Sequence, residues 1–301
     1  MQRMCKHLKK QGIYDRNSVS VYVSFKKGKM MKSPTRKLQI STDKLAEMPF
    51  RKLVPNIVTM LALCSGMTSI RYAIQESWSK AVLFIFLAAL FDGLDGRVAR
   101  MLKASSKFGA ELDSLSDFIS FGVAPAILMF QWCLFDLPKI GWFFCLLYAM
   151  GMAMRLARFN TMLEDDTVPP YWSHYFTGVP APAAAAMVIM PVLLGFDLAE
   201  TKPFLRTHLF CSIWMCIVFY LETSRIPTIS LKKAKIKPSM MVPLLFIVAA
   251  LAHFLFTQTW LTLGIMTALY TLSIPYSCIR FLHDKKLYEQ ENQPDIVKTK
   301  K

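Results

Sequence analysis

Eight apolar runs follow one another through most of this 301-residue chain, in which 54% of the residues are hydrophobic and only 19% are charged. A helix that crosses a bilayer needs about 20 predominantly apolar residues, and each run is near that length. The sequence therefore predicts an all-α, polytopic membrane bundle of about eight transmembrane helices. The runs cover approximately residues 55–74, 80–101, 109–132, 140–159, 177–196, 206–222, 240–257 and 260–280.

Positive charge is distributed unevenly around these runs. If the N-terminus is cytoplasmic, 31 of the 36 Lys and Arg residues fall on the cytoplasmic side. The positive-inside rule then predicts that both termini are cytoplasmic. The net charge of +16 suits anionic lipid headgroups. Because the basic residues flank the spans and do not line one soluble face, we expect no nucleic-acid partner.

The ends of the chain differ in composition from the apolar centre. Residues 1–38 are basic and lack apolar periodicity, which predicts a mobile tail. Residues 39–53 mix apolar and basic side chains, which is typical of an amphipathic helix lying at the membrane surface. We expect the transmembrane domain to cover residues 54–282. The charged residues 283–301 predict a disordered tail.

Four carboxylates interrupt the apolar pattern within one short block, residues 92–117. They belong to Asp92, Asp95, Asp113 and Asp117. Ionisable groups at membrane depth are costly and generally mark a functional site. Four acids so close together repel each other unless cations neutralise them. Clustered carboxylate oxygens are the ligands that Mg²⁺ and Mn²⁺ prefer.

The spacing of the acids has a geometric consequence. Positions 92 and 95 are three apart and positions 113 and 117 are four apart, so each pair shares one face of a helix. The polar segment 101–108 predicts a turn between two antiparallel helices. Two pairs on facing helices can surround two metal ions, an arrangement used for in-line displacement at phosphorus. These residues predict a two-metal phosphoryl-transfer site in a membrane.

Neighbouring residues fit that chemistry. Gly96 and Gly109 carry no side chain beside the acids, so a ligand can approach the backbone closely. Arg100 supplies a fixed positive charge suited to a phosphate. A membrane transporter is a less favoured alternative, because transporters more often show symmetric halves or broken helices at the midplane. A membrane scaffold without catalytic function is also disfavoured, because it would have no reason to keep four costly acids among its apolar spans.

The block as a whole resembles the signature of the CDP-alcohol phosphatidyltransferase family, D-x2-D-G-x2-A-R-x8-G-x3-D-x3-D. The chain supplies every specified element, including Ala99 between Gly96 and Arg100. The family has a six-helix core, so eight helices imply that core plus two. The resemblance also suggests a homodimer.

Three further segments are similar to the bacterial-type phosphatidylserine synthases within this family. Residues 54–67 contain Asn56 and Thr59 in a P-N-x2-T opening, which the family associates with the CDP part of the donor. The other two segments are 155–160 and 176–185. The similarity extends from about residue 50 to 200. It implies a bacterial inner-membrane protein whose active site faces the cytoplasm.

The resemblance implies a reaction in which CDP-diacylglycerol and L-serine give phosphatidylserine and CMP by direct displacement. Two divalent cations, Mg²⁺ or Mn²⁺, would be held by the four aspartates, and Asp117 would act as general base beside Asp113. A further set of residues would bind CDP-diacylglycerol. These are Asn56, Thr59, Gly96, Ala99, Arg100 and Gly109.

Serine must be held through its carboxylate as well as its hydroxyl. Arg155 and Arg158, three apart near the predicted end of the fourth helix, are suited to that carboxylate, and Asn160 is placed to assist. Arginines at a cytoplasmic helix end are also ordinary topology anchors. The sequence leaves open a sister transferase that uses glycerol 3-phosphate or inositol phosphate.

Overall fold

Helices form nearly all of the chain that the computed structural model describes, namely residues 50–104, 106–162, 175–198, 200–224, 226–229 and 240–291. The N-terminal tail predicted for residues 1–38 lies outside this part of the chain. So does most of the interfacial helix predicted for 39–53, whose last four residues belong instead to the first helix described. The transmembrane domain predicted from residue 54 therefore begins within a helix.

The helices follow the eight apolar runs in order along the described chain. The third helix, Lys107–Leu134, contains π-helical turns at Phe118–Val123 and Phe130–Leu134. A short additional helix, Lys202–Leu205, precedes the helix His208–Thr223. The bounds are α1 Phe50–Ile74, α2 Trp78–Met101, α3 Lys107–Leu134, α4 Pro138–Met162, α5 Ala181–Val188, α6 Met190–Asp197, α7 Lys202–Leu205, α8 His208–Thr223, α9 Met241–Thr257 and α10 Thr259–Glu291.

Four of these helices, α1, α3, α4 and α10, are long and apolar enough to cross a membrane. The helices α8 and α9 are apolar but shorter. The architecture is therefore that of a helical protein with several candidate membrane spans. The number of eight spans and the cytoplasmic position of both termini stay predictions.

Two features differ from the sequence-based expectation. The run at 177–196 begins with a strand, β1 (Tyr175–Thr177), which pairs antiparallel with β2 (Pro227–Ile229). The fold is thus helical with one short ribbon rather than entirely helical. Gly178, which follows β1, has a φ of +79°, a conformation that side chains disfavour. At the other end, α10 continues to Glu291, so the first nine residues of the predicted tail are helical.

Two prolines within the apolar helices have no N–H to donate to the carbonyl four residues earlier, and aromatic side chains donate hydrogen bonds to those carbonyls. Pro125 has no N–H to offer the Phe121 carbonyl four residues earlier, and the Tyr148 hydroxyl donates to that oxygen at 2.8 Å. Pro191 likewise has no N–H to donate to the Met187 carbonyl, which accepts the indole N–H of Trp214 at 2.8 Å as well as a backbone N–H. In hydrocarbon such replacements keep a proline-containing helix viable.

The buried core lies where α2 to α6 and α8 meet. Its large side chains are almost completely inaccessible, and α9 contributes no buried residue to it. Tight packing there holds α4 and α8 against α3, which is one of the two helices that carry the acids. The largest buried apolar side chains include Phe121, Trp132, Tyr148, Met152, Met187, Leu193 and Met215.

Small and hydroxyl-bearing residues bring α1 close to α3. The Ser116 and Ser120 hydroxyls donate to the Thr59 and Ala62 carbonyls, each at 3.2 Å. A β-carbon on Gly66 would lie 2.8 Å from the Ser120 Cα, well inside van der Waals contact. Close approach through small residues with hydroxyl hydrogen bonds is a common means of packing membrane helices. This contact sets the distance between α1 and α3.

We expect Gly66→Ala to lower the free energy of unfolding by about 1–3 kcal/mol, because the added methyl forces α1 away from α3. Reversible unfolding of the detergent-purified protein would measure the change. Gly93→Ala in α2 is the matched control, since a β-carbon there meets no atom within 4 Å. Equal stability of the two variants would contradict the close-packing argument.

Candidate active site

Three of the four predicted acids meet at the junction of α2 and α3. Asp92 and Asp95 lie near the C-terminal end of α2, and Asp113 lies in the second turn of α3. One carboxylate oxygen from each lies within 4.8 Å of the others. We call these three residues the acidic trio. The short polar connection predicted between the two helices is the one observed, because α2 ends at Met101 and α3 starts at Lys107.

The acidic trio has the properties of a divalent-cation site. Asp95 is 5% exposed, and the Asp113 Oδ1 atom is buried without a hydrogen-bond partner. Three negative charges this close together in a partly buried site are unfavourable unless a cation compensates them. Carboxylate oxygens without nitrogen or sulfur donors suit a hard ion such as Mg²⁺ or Mn²⁺.

Asp117 lies one helical turn beyond the trio. Its carboxyl lies near that of Asp92, and it interacts electrostatically with the guanidinium of Arg155. Asp117 is therefore next to the acidic trio but outside the set whose oxygens converge. Its predicted part as a fourth metal ligand stays a prediction. Asp117 thus has both Asp92 and the Arg155 guanidinium as neighbours.

Thr59 of α1 is hydrogen bonded to one carboxylate of the trio. Its hydroxyl donates to Asp95 Oδ2 at 2.7 Å, and the residue is 4% exposed. The sequence analysis assigned Thr59 to the CDP part of the donor. The bond to Asp95 is shorter than the 3.1 Å approach of the same hydroxyl to the Pro55 carbonyl, and it orients the carboxylate. The contact of Thr59 with the donor stays a prediction. Groups that orient a ligating side chain in this way strengthen metal binding.

A pocket opens beside the trio with a volume of about 160 Å³. Its lining includes five of the six residues that the sequence analysis assigned to the donor. No atom lies within 4 Å of the position that a Gly96 β-carbon would take. At Gly109 a β-carbon would approach Asn56 Oδ1 at 3.1 Å, so glycine allows the asparagine amide to come near α3. These five are Asn56, Thr59, Gly96, Ala99 and Gly109.

Arg100, the sixth of those residues, is exposed and does not line this pocket. Its Nε donates to the Gly96 carbonyl at 3.0 Å, so the side chain folds back along the exposed side of α2. The guanidinium therefore lies on the solvent side of the last turn of α2. Its predicted contact with a phosphate stays a prediction.

The three residues assigned to serine on α4 have different environments. Arg158 donates from Nη1 to the Thr223 carbonyl at 2.6 Å, at the C-terminal end of α8. The Asn160 amide donates to the Ser114 hydroxyl at 3.0 Å, which joins α4 to α3. Both side chains therefore make contacts between helices. Arg155 is the one of the three that points toward the acids.

The short ribbon positions Arg155. Gly178 donates its N–H to the Ile226 carbonyl at 2.9 Å, which extends the pairing of the ribbon beyond β1. The next carbonyl, that of Val179, accepts the Nε–H of Arg155. The ribbon thus holds the guanidinium beside Asp117. The sequence similarity covers segment 176–185 but does not predict the strand pairing.

Glu222 was missed by the sequence analysis. It lies in the last turn of α8, is 1% exposed, and interacts electrostatically with Arg155. The signal available in the sequence was a single acid at the end of the otherwise apolar run 206–222. That signal alone does not distinguish a buried carboxylate from one at a solvated helix end.

We expect Thr59→Val to weaken Mn²⁺ binding about 10- to 100-fold, the usual effect of removing a group that orients a metal ligand. Isothermal titration calorimetry of the detergent-purified protein would measure it. Thr59→Ser should retain near-normal affinity, because the hydroxyl remains.

Thr68→Val is the matched control for this prediction. Thr68 is also on α1, but its hydroxyl donates to the Cys64 carbonyl of its own helix. Its replacement should leave Mn²⁺ affinity unchanged. Unaltered affinity in Thr59→Val would show that the bond to Asp95 does not support a cation site.

Comparison with known proteins identifies the family. The family model described as CDP-alcohol phosphatidyltransferase matches residues 52–274. A CDP-diacylglycerol–serine O-phosphatidyltransferase of Mycobacterium leprae (strain TN) is 37% identical over 226 residues, which cover 75% of this chain and 74% of the relative. A protein of the same name from Helicobacter pylori (strain ATCC 700392 / 26695) is 42% identical over 142 residues, covering 47% of this chain and 58% of that relative.

An archaeal relative extends the comparison beyond bacteria. The archaetidylserine synthase of Methanothermobacter thermautotrophicus is 39% identical over 145 residues, or 48% of this chain and 59% of that protein. The matched family region contains the acidic trio, Asp117 and the pocket. With its apolar helices the protein is an integral membrane protein, and this chain belongs to the CDP-alcohol phosphatidyltransferase family.

Proposed function

We propose that this protein transfers the phosphatidyl group of CDP-diacylglycerol to the hydroxyl of L-serine, giving phosphatidylserine and CMP. The observation that carries the proposal is the acidic trio, whose oxygens converge within 4.8 Å beside a pocket lined by small residues. The acceptor is suggested by the names of the relatives, several of which are CDP-diacylglycerol–serine O-phosphatidyltransferases.

The cation site in this proposal is built from Asp92, Asp95 and Asp113, with Asp117 completing it when two ions bind. The unpartnered Asp113 Oδ1 and the Thr59 bond to Asp95 support that assignment. When bound, divalent cations neutralise the diphosphate and stabilise the charge that develops at phosphorus. Mg²⁺ and Mn²⁺ both fit an all-carboxylate set of ligands.

The donor in this proposal lies along the pocket between α1, α2 and α3. Gly96 and Ala99 leave room for the nucleotide, and the Asn56 amide beside Gly109 offers it a hydrogen bond. Arg100 is outside the pocket and meets a phosphate at its mouth. The diacylglycerol part extends toward the apolar surfaces of the helices, which face lipid.

The displacement has one bond forming and one bond breaking at the same phosphorus. The serine Oγ forms the new P–O bond, and the P–O bond to the CMP leaving group breaks with its electron pair. A carboxylate oxygen of Asp117 accepts the hydroxyl proton. This acid suits the role because it is next to the trio and does not belong to the converging set.

The proposal includes an orientation in the bilayer. Eight spans with both termini in the cytoplasm put the acids at the cytoplasmic ends of α2 and α3, where a soluble acceptor is available. The excess of Lys and Arg on that side supports this orientation. By the resemblance, the membrane is a bacterial inner membrane and the protein is a homodimer.

Release of CMP from CDP-diacylglycerol by the detergent-purified protein tests the function. Assays with Mn²⁺ or Mg²⁺ would compare L-serine with glycerol 3-phosphate and inositol phosphate. Serine-dependent release that EDTA abolishes supports the proposal. Release with a phosphorylated acceptor only would overturn the choice of serine. Absence of release with every acceptor, from folded protein, would overturn the transferase activity.

We expect Asp117→Asn to reduce kcat at least ~100-fold, because the amide cannot accept the hydroxyl proton. Donor binding and Mn²⁺ binding at the acidic trio should persist, since the trio and the pocket residues are unchanged. Asp136→Asn, an exposed position after α3, is the control and should keep full activity. Near-normal turnover of Asp117→Asn would exclude its role as base.

A further inference from the structure

Unsatisfied polar atoms are concentrated in two places in the described part of the chain. Asp113 Oδ1 belongs to the acidic trio. The other buried side-chain oxygens without a hydrogen-bond partner are both carboxylate oxygens of Glu222 and the hydroxyl oxygens of Thr223 and Tyr270. Leaving such a group unpaired is costly, and an unpaired buried carboxylate costs most. The Tyr270 hydroxyl approaches Thr228 without a bond of ordinary geometry.

The second group of orphaned atoms surrounds Arg155. The guanidinium interacts electrostatically with Asp117, Glu222 and Tyr270. Among the described residues, neither carboxylate forms an ion pair with it within 4.0 Å. Arg155 therefore lies near two acids that it does not contact. One of those acids is the proposed base.

Gly151 of α4 admits the Glu222 carboxylate. A β-carbon at that position would overlap Glu222 Oε1, so glycine leaves the volume that the carboxylate occupies. Neither Gly151 nor Glu222 belongs to the sequence pattern of the acidic block. Glu222 is thus a fully buried acid in a pocket left by a glycine, and no described side chain contacts its oxygens in a hydrogen bond or ion pair.

We propose that Glu222 binds the ammonium group of the acceptor amino acid, while Arg155 binds its carboxylate. The proposal rests on serine being the acceptor. The guanidinium and the two acids near it, Glu222 and Asp117, then match the three functional groups of serine, with the hydroxyl directed toward Asp117. An ammonium satisfies the orphaned oxygens of Glu222 through charge-assisted hydrogen bonds. Alcohols that lack an ammonium leave this carboxylate unpaired, which makes Glu222 a specificity-determining residue.

Acceptor selectivity of Glu222→Gln is the test. The purified variant would be assayed for CMP release with L-serine and with 3-hydroxypropanoate, which has the same hydroxyl and carboxylate but no ammonium. We expect KM for serine to rise about tenfold or more, from loss of a hydrogen bond to a charged group. The KM for CDP-diacylglycerol and the rate with 3-hydroxypropanoate should change little. The preference for serine over 3-hydroxypropanoate should therefore fall by the same factor.

The matched control is Glu200→Gln, the same change at an exposed position before α7, which should keep the selectivity of the unchanged protein. A structural role for Glu222 predicts equal losses with both acceptors, and that result would overturn the proposal. Failure of the unchanged protein to use serine would instead overturn the proposed function. The two failures are therefore distinguishable.

If Glu222→Gln does not fold, thermal stabilisation of the unchanged protein replaces it. With Mn²⁺ and CDP present, serine should raise the unfolding temperature more than equal concentrations of 3-hydroxypropanoate or ethanolamine, because each analogue lacks one of the two charged groups. Equal stabilisation by serine and 3-hydroxypropanoate would contradict recognition of the ammonium by Glu222.

Discussion

A polar group surrounded by hydrocarbon must find a partner within the protein, and most of this structure satisfies that requirement. Helices pair the backbone groups. Pro125 and Pro191 have no N–H for the carbonyls four residues earlier. Those carbonyls accept hydrogen bonds from the Tyr148 hydroxyl and the Trp214 indole N–H on neighbouring helices. Serine hydroxyls satisfy carbonyls across the contact between α1 and α3. Against this background, buried polar atoms without partners are the places where we propose that ligands bind.

The unpartnered atoms define two adjoining sites with complementary chemistry. One is the acidic trio, where Asp113 Oδ1 lacks a partner and the carboxylate oxygens converge. The other is near Arg155, where both carboxylate oxygens of Glu222 lack a hydrogen-bond partner. Asp117 lies between the two. In the proposed reaction this arrangement keeps the donor phosphates on the cation side and the amino acid on the arginine side, with the proton acceptor where they meet.

Helix α1 connects packing to chemistry, although it carries none of the four acids. Gly66 lets it approach α3, and Thr59, two turns earlier, reaches Asp95. A change that moves α1 therefore alters the direction of a carboxylate as well as stability. Gly66 at the helix contact and Thr59 at the site act together because both lie on the same rigid helix.

The sequence by itself determined the family, the order of the helices and the acids at the junction of α2 and α3. These follow from helical spacing and apolar run length, which are local properties of the chain. Tertiary structure decided that Thr59 orients Asp95, that Arg158 and Asn160 join helices, and that a ribbon holds Arg155. It also buried Glu222 beside Arg155. These contacts join residues far apart in the chain, and side-chain packing between helices, which no local pattern encodes, sets their distances.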